Sequence, residues 1–136
     1  MRSLGHKDFY VEAGGDIQTA GKNPDGKEWS IGIRNPFDRD QIIKVVYPRG
    51  NGIATSGTAV RGAHIYDPHA KRSVETNVAS LTVIGPNVYE ADRFATAAFA
   101  MGESGISFIG SLDGFEGYQV TKSGVATMTA GFNEYV

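Results

Sequence analysis

The stretch ASLTVIGPNVYEADRFATAAFAM, residues 79–101, decides the fold because it joins a buried strand to a capped helix. Ala79–Ile84 is rich in β-branched and apolar residues, which is typical of a strand. Asn87 can cap the helix that follows, and Glu90 three residues later completes a capping-box pattern. The spacing predicts an amphipathic helix from Asn87 to Met101, ended by Gly102, with a buried stripe at Ala91, Phe94, Ala95, Ala98 and Phe99.

Short strands separated by glycine and proline turns are predicted on both sides of this unit. Before it lie Phe9–Ala13, Ile17–Gly21, Trp29–Arg34, Gln41–Tyr47, Gly52–Gly57 and Ala63–Pro68, with turns at Asn23–Gly26 and Asn35–Arg39. After it come a short helix at Ile106–Ile109 and a hairpin of Glu116–Thr121 with Val125–Thr129. This order predicts an α+β fold, in which a mixed or antiparallel sheet packs against one main helix.

Composition narrows the classes of function. The 136 residues are enough for a single domain, and 40% of them are hydrophobic. The net charge of −2 and the lack of a long basic run argue against a nucleic-acid partner. No cysteine is present, so thiolate metal sites and Cys nucleophiles are excluded. The apolar stretches are too short for a membrane span, and Met1–Lys7 lacks the apolar region of a signal peptide.

Three groups of residues could carry chemistry. Asp92 and Thr96 lie four apart on the predicted helix, and their oxygens suit Mg²⁺ or Ca²⁺, although such a pair is also typical of a solvated helix face. His64 could act as a general acid or base, or could be an ordinary strand histidine. Gly14–Asp16 could form a backbone pocket for a ligand or simply a tight turn. No catalytic triad and no P-loop is recognisable.

Six segments in order resemble the FAD:protein FMN transferase family, formerly called the ApbE thiamine-biosynthesis lipoproteins. Each segment is a weak signal alone, but their shared order and spacing are specific. The segments are Val11–Ile17, Trp29–Ile33, Ile53–Gly57, His64–Pro68, Ser80–Pro86 and Glu90–Ala97. The resemblance implies an ApbE-like, T-fold-related architecture and an enzyme that splits the pyrophosphate of FAD. Such an enzyme transfers FMN to a threonine hydroxyl of a target flavoprotein and releases AMP, whereas some relatives hydrolyse FAD to FMN and AMP.

The resemblance also implies roles for individual residues. Mg²⁺ would be held by Asp92 and Thr96, with the backbone of Ala95 close by. The histidine of the His-x-x-Asp-Pro motif, here His64, would be needed for activity and could take or relay the proton of the acceptor hydroxyl. FAD would be bound by Gly15, Asp16, Ser56, His64, Tyr66 and Asp67, with Tyr66 where the family's backbone touches the flavin. Relatives are typically periplasmic or membrane-anchored lipoproteins, and the sequence itself does not fix the location of this chain.

Two departures from the family pattern lead to expectations about activity. Family members are normally more than twice as long, and their N-terminal part carries an Ala-Lys-Gly-Tyr-like motif with another metal ligand, which nothing here matches. The segment Thr58–Ala63 is also shorter than in the family. We therefore expect half a site, and weak or absent transferase activity for the isolated chain. The alternatives are a non-catalytic flavin-binding or homo-oligomerising remnant that keeps the fold, and an unrelated small α+β binding domain.

Overall fold

The computed structural model describes residues 9–13, 16–22, 24–57, 66–67, 72–73 and 77–136. Their ten strands are β1 Phe9–Ala13, β2 Asp16–Ala20, β3 Ile31–Asn35, β4 Asp38–Val46, β5 Gly52–Gly57, β6 Tyr66–Asp67, β7 Arg72–Ser73, β8 Val78–Gly85, β9 Glu116–Thr121 and β10 Ala126–Met128. The helices are α1 Val88–Ala100 and α2 Gly105–Gly110, with short 3₁₀ helices at Gly102–Ser104 and Phe132–Tyr135. None of these helices is long and apolar enough to cross a membrane.

The main sheet has six strands in the order β1-β2-β5-β8-β9-β10, and every neighbouring pair is antiparallel. β5 and β8 form its centre, with Ile53 opposite Ile84 and Ser56 opposite Leu81. Two antiparallel ribbons stand outside the sheet, β3 with β4 and β6 with β7. The predicted α+β class with an antiparallel sheet is confirmed.

The sheet has an apolar cluster on each face. On one face α1 and α2 cover Ala54, Leu81 and Val83, and the helices contribute Ala91, Ala95, Ala98, Phe99, Ile106 and Ile109. On the other face the β3–β4 ribbon and the C-terminal 3₁₀ helix cover a second cluster, built from Ile17, Ile31, Ile33, Val46, Ile53, Ile84, Tyr118, Val120 and Phe132. Alternate residues of β5 and β8 therefore enter different layers, as the two-residue period of a strand requires.

Helix α1 begins and ends as its sequence predicts. The side chain of Asn87 accepts a hydrogen bond of 2.9 Å from the backbone N–H of Glu90. Glu90 itself accepts from Arg93 at 3.3 Å on the exposed side of the helix. At the other end Gly102 takes a positive φ of 69°, the conformation that glycine adopts most readily after a helix.

Two glycines let α1 approach its neighbours closely. A Cβ on Gly52 would lie 2.1 Å from the backbone nitrogen of Val88, so the first turn of α1 sits directly on the beginning of β5. A Cβ on Gly105 would lie 2.0 Å from the carbonyl oxygen of Ala98, which brings α2 against the end of α1. These contacts fix the beginning of α1 on the sheet and its end against α2.

Some predicted boundaries were wrong. β3 begins at Ile31 and not at Trp29, because the Trp29 indole turns away to donate to the carbonyl of Ala20 at 3.0 Å. The predicted turn at Asn35–Arg39 shrinks to two residues, since β3 continues to Asn35 and β4 starts at Asp38. The Asn35 side chain accepts from the N–H of Phe37 at 2.9 Å and closes this turn. Of the predicted strand Ala63–Pro68, only Tyr66–Asp67 belongs to the described residues.

Candidate functional site

The candidate site is built on one flank of α1. Phe94 packs against Phe108 of α2 and against Phe115, which immediately precedes β9, so its side of the helix faces this aromatic cluster. Asp92 and Thr96 each lie about 160° around the helix from Phe94 and therefore face away from that aromatic cluster. Both residues are half-buried. The sequence prediction that they share one side of the helix is confirmed by the helix that the structure shows.

Strand β2 directs some of its side chains toward the face of the sheet that α1 covers. Ile17 enters the cluster on the far face, so Asp16 and Gln18 point toward the α1 layer. Gln18 confirms this direction, since its side-chain oxygen accepts a 2.7 Å hydrogen bond from the backbone N–H of Val88. Asp16 is half-buried two residues away. The fold thus places a second carboxylate, Asp16, in the layer that contains Asp92.

Ser56 and Ala95 also belong to the α1 layer. Ser56 lies opposite Leu81 of the α1-facing cluster, and its side chain is fully buried. No hydrogen-bond partner for the Ser56 hydroxyl is present among the described residues, a situation that typically costs about 1–3 kcal/mol. The whole of Ala95 is buried, and because its side chain is a methyl group, only its backbone carbonyl has the chemistry of a ligand.

Gln18 and Gly52 were missed by the sequence reasoning. Gln18 accepts from Val88 and donates to the carbonyl oxygens of Thr19 at 3.0 Å and Gly50 at 3.1 Å. It thereby joins the first turn of α1 to β2 and to the turn before β5. The available signal was a long polar residue at an inward position of a strand, between apolar Ile17 and Ala20. The partner of that residue, 70 positions away, has no local signature.

The donor chemistry of this flank suits a hard cation. A carboxylate, a hydroxyl and a backbone carbonyl are the oxygen ligands that Mg²⁺ and Ca²⁺ take. Within the described residues, no cluster of three or more His, Asp or Glu is close enough to hold a metal. A cation here would therefore rely on Asp92, on neutral oxygens and on groups that a substrate supplies. Burial raises the pKa of Tyr118, but this residue lies on the face of the sheet opposite α1 and so does not belong to the candidate site.

The remaining predicted residues are described only in part. Tyr66 and Asp67 form β6 and pair with Ser73 and Arg72 in the small ribbon. Gly15 and His64 lie outside the described residues, so the predicted roles of both stay predictions. Strand alternation and helical periodicity place Asp16, Ser56, Asp92, Ala95 and Thr96 in the α1 layer, on one face of the sheet.

A polar cavity of about 480 Å³ lies elsewhere, between the turn that precedes β5 and the C-terminal 3₁₀ helix. It is lined by Arg49, Asn51, Glu134 and Tyr135. Asn51 donates to the Tyr135 hydroxyl at 3.2 Å, and Arg49 contacts Glu28 at 3.4 Å. None of the residues predicted for the site lines this cavity.

Comparison with known proteins gives a consistent result. The FAD:protein FMN transferase of Escherichia coli strain K12 is 31% identical over 133 residues, which cover 91% of this chain and 38% of that protein. The enzyme of the same name from Vibrio cholerae serotype O1 is 36% identical over 112 residues, covering 76% of this chain and 34% of the relative.

Solved structures agree. The flavin transferase ApbE from Vibrio cholerae superposes with a TM-score of 0.86 at 30% identity, covering 99% of this chain and 46% of that one. The ApbE protein of Thermotoga maritima gives a TM-score of 0.83 at 28% identity and covers 94% of this chain and 44% of its own. The chain thus spans less than half the length of these relatives. A profile of the ApbE family matches residues 1–118, and the chain belongs to the ApbE family.

Proposed function

We propose that this chain forms the C-terminal part of a Mg²⁺-dependent site that transfers FMN from FAD to a threonine hydroxyl of a target flavoprotein. The relatives that it matches are named FAD:protein FMN transferases. The observation that carries the proposal is the half-buried Asp92–Thr96 flank of α1, which faces away from the aromatic cluster of Phe94. A carboxylate and a hydroxyl are oxygen ligands that suit Mg²⁺, which commonly completes its coordination shell with substrate phosphates.

The cation would be held by the Asp92 carboxylate, the Thr96 hydroxyl and the Ala95 carbonyl. When bound, Mg²⁺ neutralises the negative charge that develops on phosphoryl oxygens as a pyrophosphate is split. The carbonyl of Ala95 retains a lone pair beyond its helical hydrogen bond, so it can serve in this way without disrupting α1. Asp16, in the same layer, adds negative potential that favours a cation.

The chemistry asked of the remaining residues is proton transfer and positioning. The acceptor threonine oxygen forms a bond to the phosphorus of FMN, the bridging P–O bond breaks, and AMP leaves. The hydroxyl proton must be removed, and His64 is our predicted acceptor for it. Gly15, Asp16, Ser56, Tyr66 and Asp67 are our predicted contacts to FAD. Because Ser56 is fully buried on the face of the sheet that α1 covers, we expect its hydroxyl to contribute from the layer between the sheet and α1.

A thermal-shift titration tests the metal site. At ten times its dissociation constant a ligand stabilises the folded state by about 1.4 kcal/mol. For a chain of this size that corresponds to a rise of roughly 5 °C in Tm. We expect Mg²⁺ and FAD together to raise Tm, and Asp92→Asn to abolish the Mg²⁺ part of the rise.

Glu90→Gln is the matched control for this experiment. It removes the same charge from the same helix at a position of similar burial, but away from the Asp92–Thr96 flank, where the Glu90 carboxylate contacts Arg93. The control should keep the full response to Mg²⁺. An Asp92→Asn variant that responds to Mg²⁺ like the wild type would disprove the assignment.

Activity needs a separate measurement, because the chain spans about 38% of the length of the E. coli relative. We expect weak or absent FMN transfer from the isolated chain when it is incubated with FAD, Mg²⁺ and a threonine-containing acceptor protein. In-gel flavin fluorescence of the acceptor measures the transfer. Robust turnover by the chain alone would contradict the view that it holds only part of the site, and release of free FMN and AMP would indicate hydrolysis instead.

One observation favours a second candidate, a flavin-binding or oligomerising module without catalysis. The β3–β4 ribbon exposes Phe37, Ile42 and Val45, which are 58%, 47% and 43% accessible. Exposed apolar side chains on one ribbon are typical of a surface that contacts another protein. Size-exclusion chromatography with light scattering tests the second candidate, since a self-associated chain would support an oligomerising module. A monomer whose Tm does not respond to FAD and Mg²⁺ would argue against both candidates.

A further inference from the structure

We propose that Gln18 is a positioning residue that determines where α1 presents Asp92 and Thr96. The inference rests on the proposed metal site. It concerns a residue that positions the metal ligands and is not a ligand itself. Val88, Asp92 and Thr96 follow one another at intervals of four residues and form a single ridge along α1. Gln18 holds the first member of this ridge by its backbone N–H.

The contacts of Gln18 connect three parts of the fold. Its side-chain oxygen accepts from Val88 at 2.7 Å, and its side-chain nitrogen donates to the carbonyls of Thr19 at 3.0 Å and Gly50 at 3.1 Å. Both ends of the amide are therefore used, which fixes its rotation. Gly52, on the adjoining strand, removes the Cβ that would otherwise keep Val88 away. The first turn of α1 thus has one defined position on β2 and β5.

A second side chain at the same helix end provides a comparison. Asn87 also satisfies a first-turn N–H, that of Glu90, but Asn87 immediately precedes the helix and moves with it. Gln18 belongs to the sheet. Both hydrogen bonds stabilise α1, since each satisfies an N–H that the helix cannot pair internally. Only the bond from Gln18 also fixes the ridge relative to β2, where Asp16 lies.

The experiment compares Gln18→Met with Asn87→Ala. Each substitution removes one acceptor from the first turn, so both should lower Tm. Mg²⁺ affinity, measured by calorimetry in the presence of FAD, should fall about ten-fold in Gln18→Met, as for other supports of a metal ligand, and should stay near the wild-type value in Asn87→Ala. Equal affinities in the two variants would overturn the proposal.

Amide hydrogen exchange without metal provides the second readout. With exchange at Leu81 as the reference for global stability, Gln18→Met should accelerate exchange from Val88 through Thr96. Asn87→Ala should affect only the first turn. If the wild type binds no Mg²⁺, the proposed function fails and exchange alone decides whether Gln18 holds the helix. Gln18→Glu keeps the acceptor for Val88 but loses the donors to the carbonyls of Thr19 and Gly50. Because the proposal assigns the position of the ridge to the Val88 bond, this variant should retain slow exchange at Asp92 and Thr96, even if Gln18→Met does not fold. Fast exchange there in Gln18→Glu would refute the role.

Discussion

Replacing Gly52 by alanine should destabilise the chain and disturb the candidate site together. The added Cβ would lie 2.1 Å from the Val88 nitrogen, 2.3 Å from the Asn87 carbonyl carbon and 2.4 Å from the Val88 Cα. Ordinary contact begins near 3.4 Å, so the first turn of α1 or the start of β5 must move by about 1.3 Å. The atoms in the way are backbone, and no side-chain rotation relieves the clash.

The expected size follows from this geometry. Overpacking of a closed interior costs about 1–3 kcal/mol, and movement of Val88 also weakens its 2.7 Å hydrogen bond to Gln18, worth about 1 kcal/mol. We therefore expect Gly52→Ala to lose roughly 2–4 kcal/mol of unfolding free energy, measured by urea denaturation followed by circular dichroism. The response of Tm to Mg²⁺ and FAD should weaken in the same variant, since the clash lies at the base of the Asp92 ridge.

Gly110→Ala is the control for backbone effects. A Cβ at Gly110 meets only Thr129 at 3.4 Å, an ordinary contact, and alanine favours a helix over glycine by up to about 1 kcal/mol. This variant should be neutral or slightly stabilised. A Gly52→Ala protein within about 0.5 kcal/mol of the wild type would refute the close approach of α1 and β5.

Three further predictions concern the sheet. Leu81→Ala should lower the free energy of unfolding by about 3–5 kcal/mol in urea denaturation, because the side chain is fully buried in the cluster that α1 and α2 cover. A loss below about 1 kcal/mol would contradict that packing. Thr55 and Thr82 share a 2.8 Å hydrogen bond, so Thr55→Val should lower the free energy of unfolding by about 1–2 kcal/mol, because it leaves the buried Thr82 hydroxyl unpaired. The variant with valine at both positions should lose less than the sum of the two single losses, whereas strict additivity would disprove the coupling. Burial raises the pKa of Tyr118 above its usual 10.0, so the folded state favours the neutral phenol, and the stability that this contributes is full below pH 10 and falls as the pH rises above it. Tyr118→Phe should flatten this fall in urea denaturations at increasing pH, whereas an unchanged slope would argue against a role of Tyr118.

The sequence predicted α1 well because its signals are local. Asn87 acts as the cap and Gly102 ends the helix. Of the predicted buried stripe, Ala91, Ala95, Ala98 and Phe99 are buried, whereas Phe94 is only partly buried and packs at the edge of the cluster. The shared side of Asp92 and Thr96 follows from helical periodicity alone. The resemblance to the family, carried by six short segments, is confirmed by the family match over residues 1–118.

What the sequence did not predict depends on contacts between distant residues. The bond from Gln18 to Val88 spans 70 positions, and the need for glycine at position 52 arises only once α1 lies on β5. Trp29 lies outside β3, although it was predicted to begin that strand, because its indole N–H donates to the carbonyl of Ala20. This tertiary contact overrides the strand propensity of tryptophan. Ser56 is fully buried because a helix covers it, and alternation along a strand does not reveal which face will be covered.

Paramagnetic broadening by Mn²⁺ tests the central claim most directly, since Mn²⁺ accepts the same oxygen ligands as Mg²⁺. The nuclear magnetic resonance spectrum of the chain with FAD would be recorded while substoichiometric Mn²⁺ is added. We predict that the backbone amide signals of Asp92, Ala95 and Thr96 broaden first, together with that of Asp16, and that excess Mg²⁺ restores them. Preferential broadening at the exposed acids Asp38 and Asp40, with the signals of α1 unaffected, would contradict a metal site on this helix.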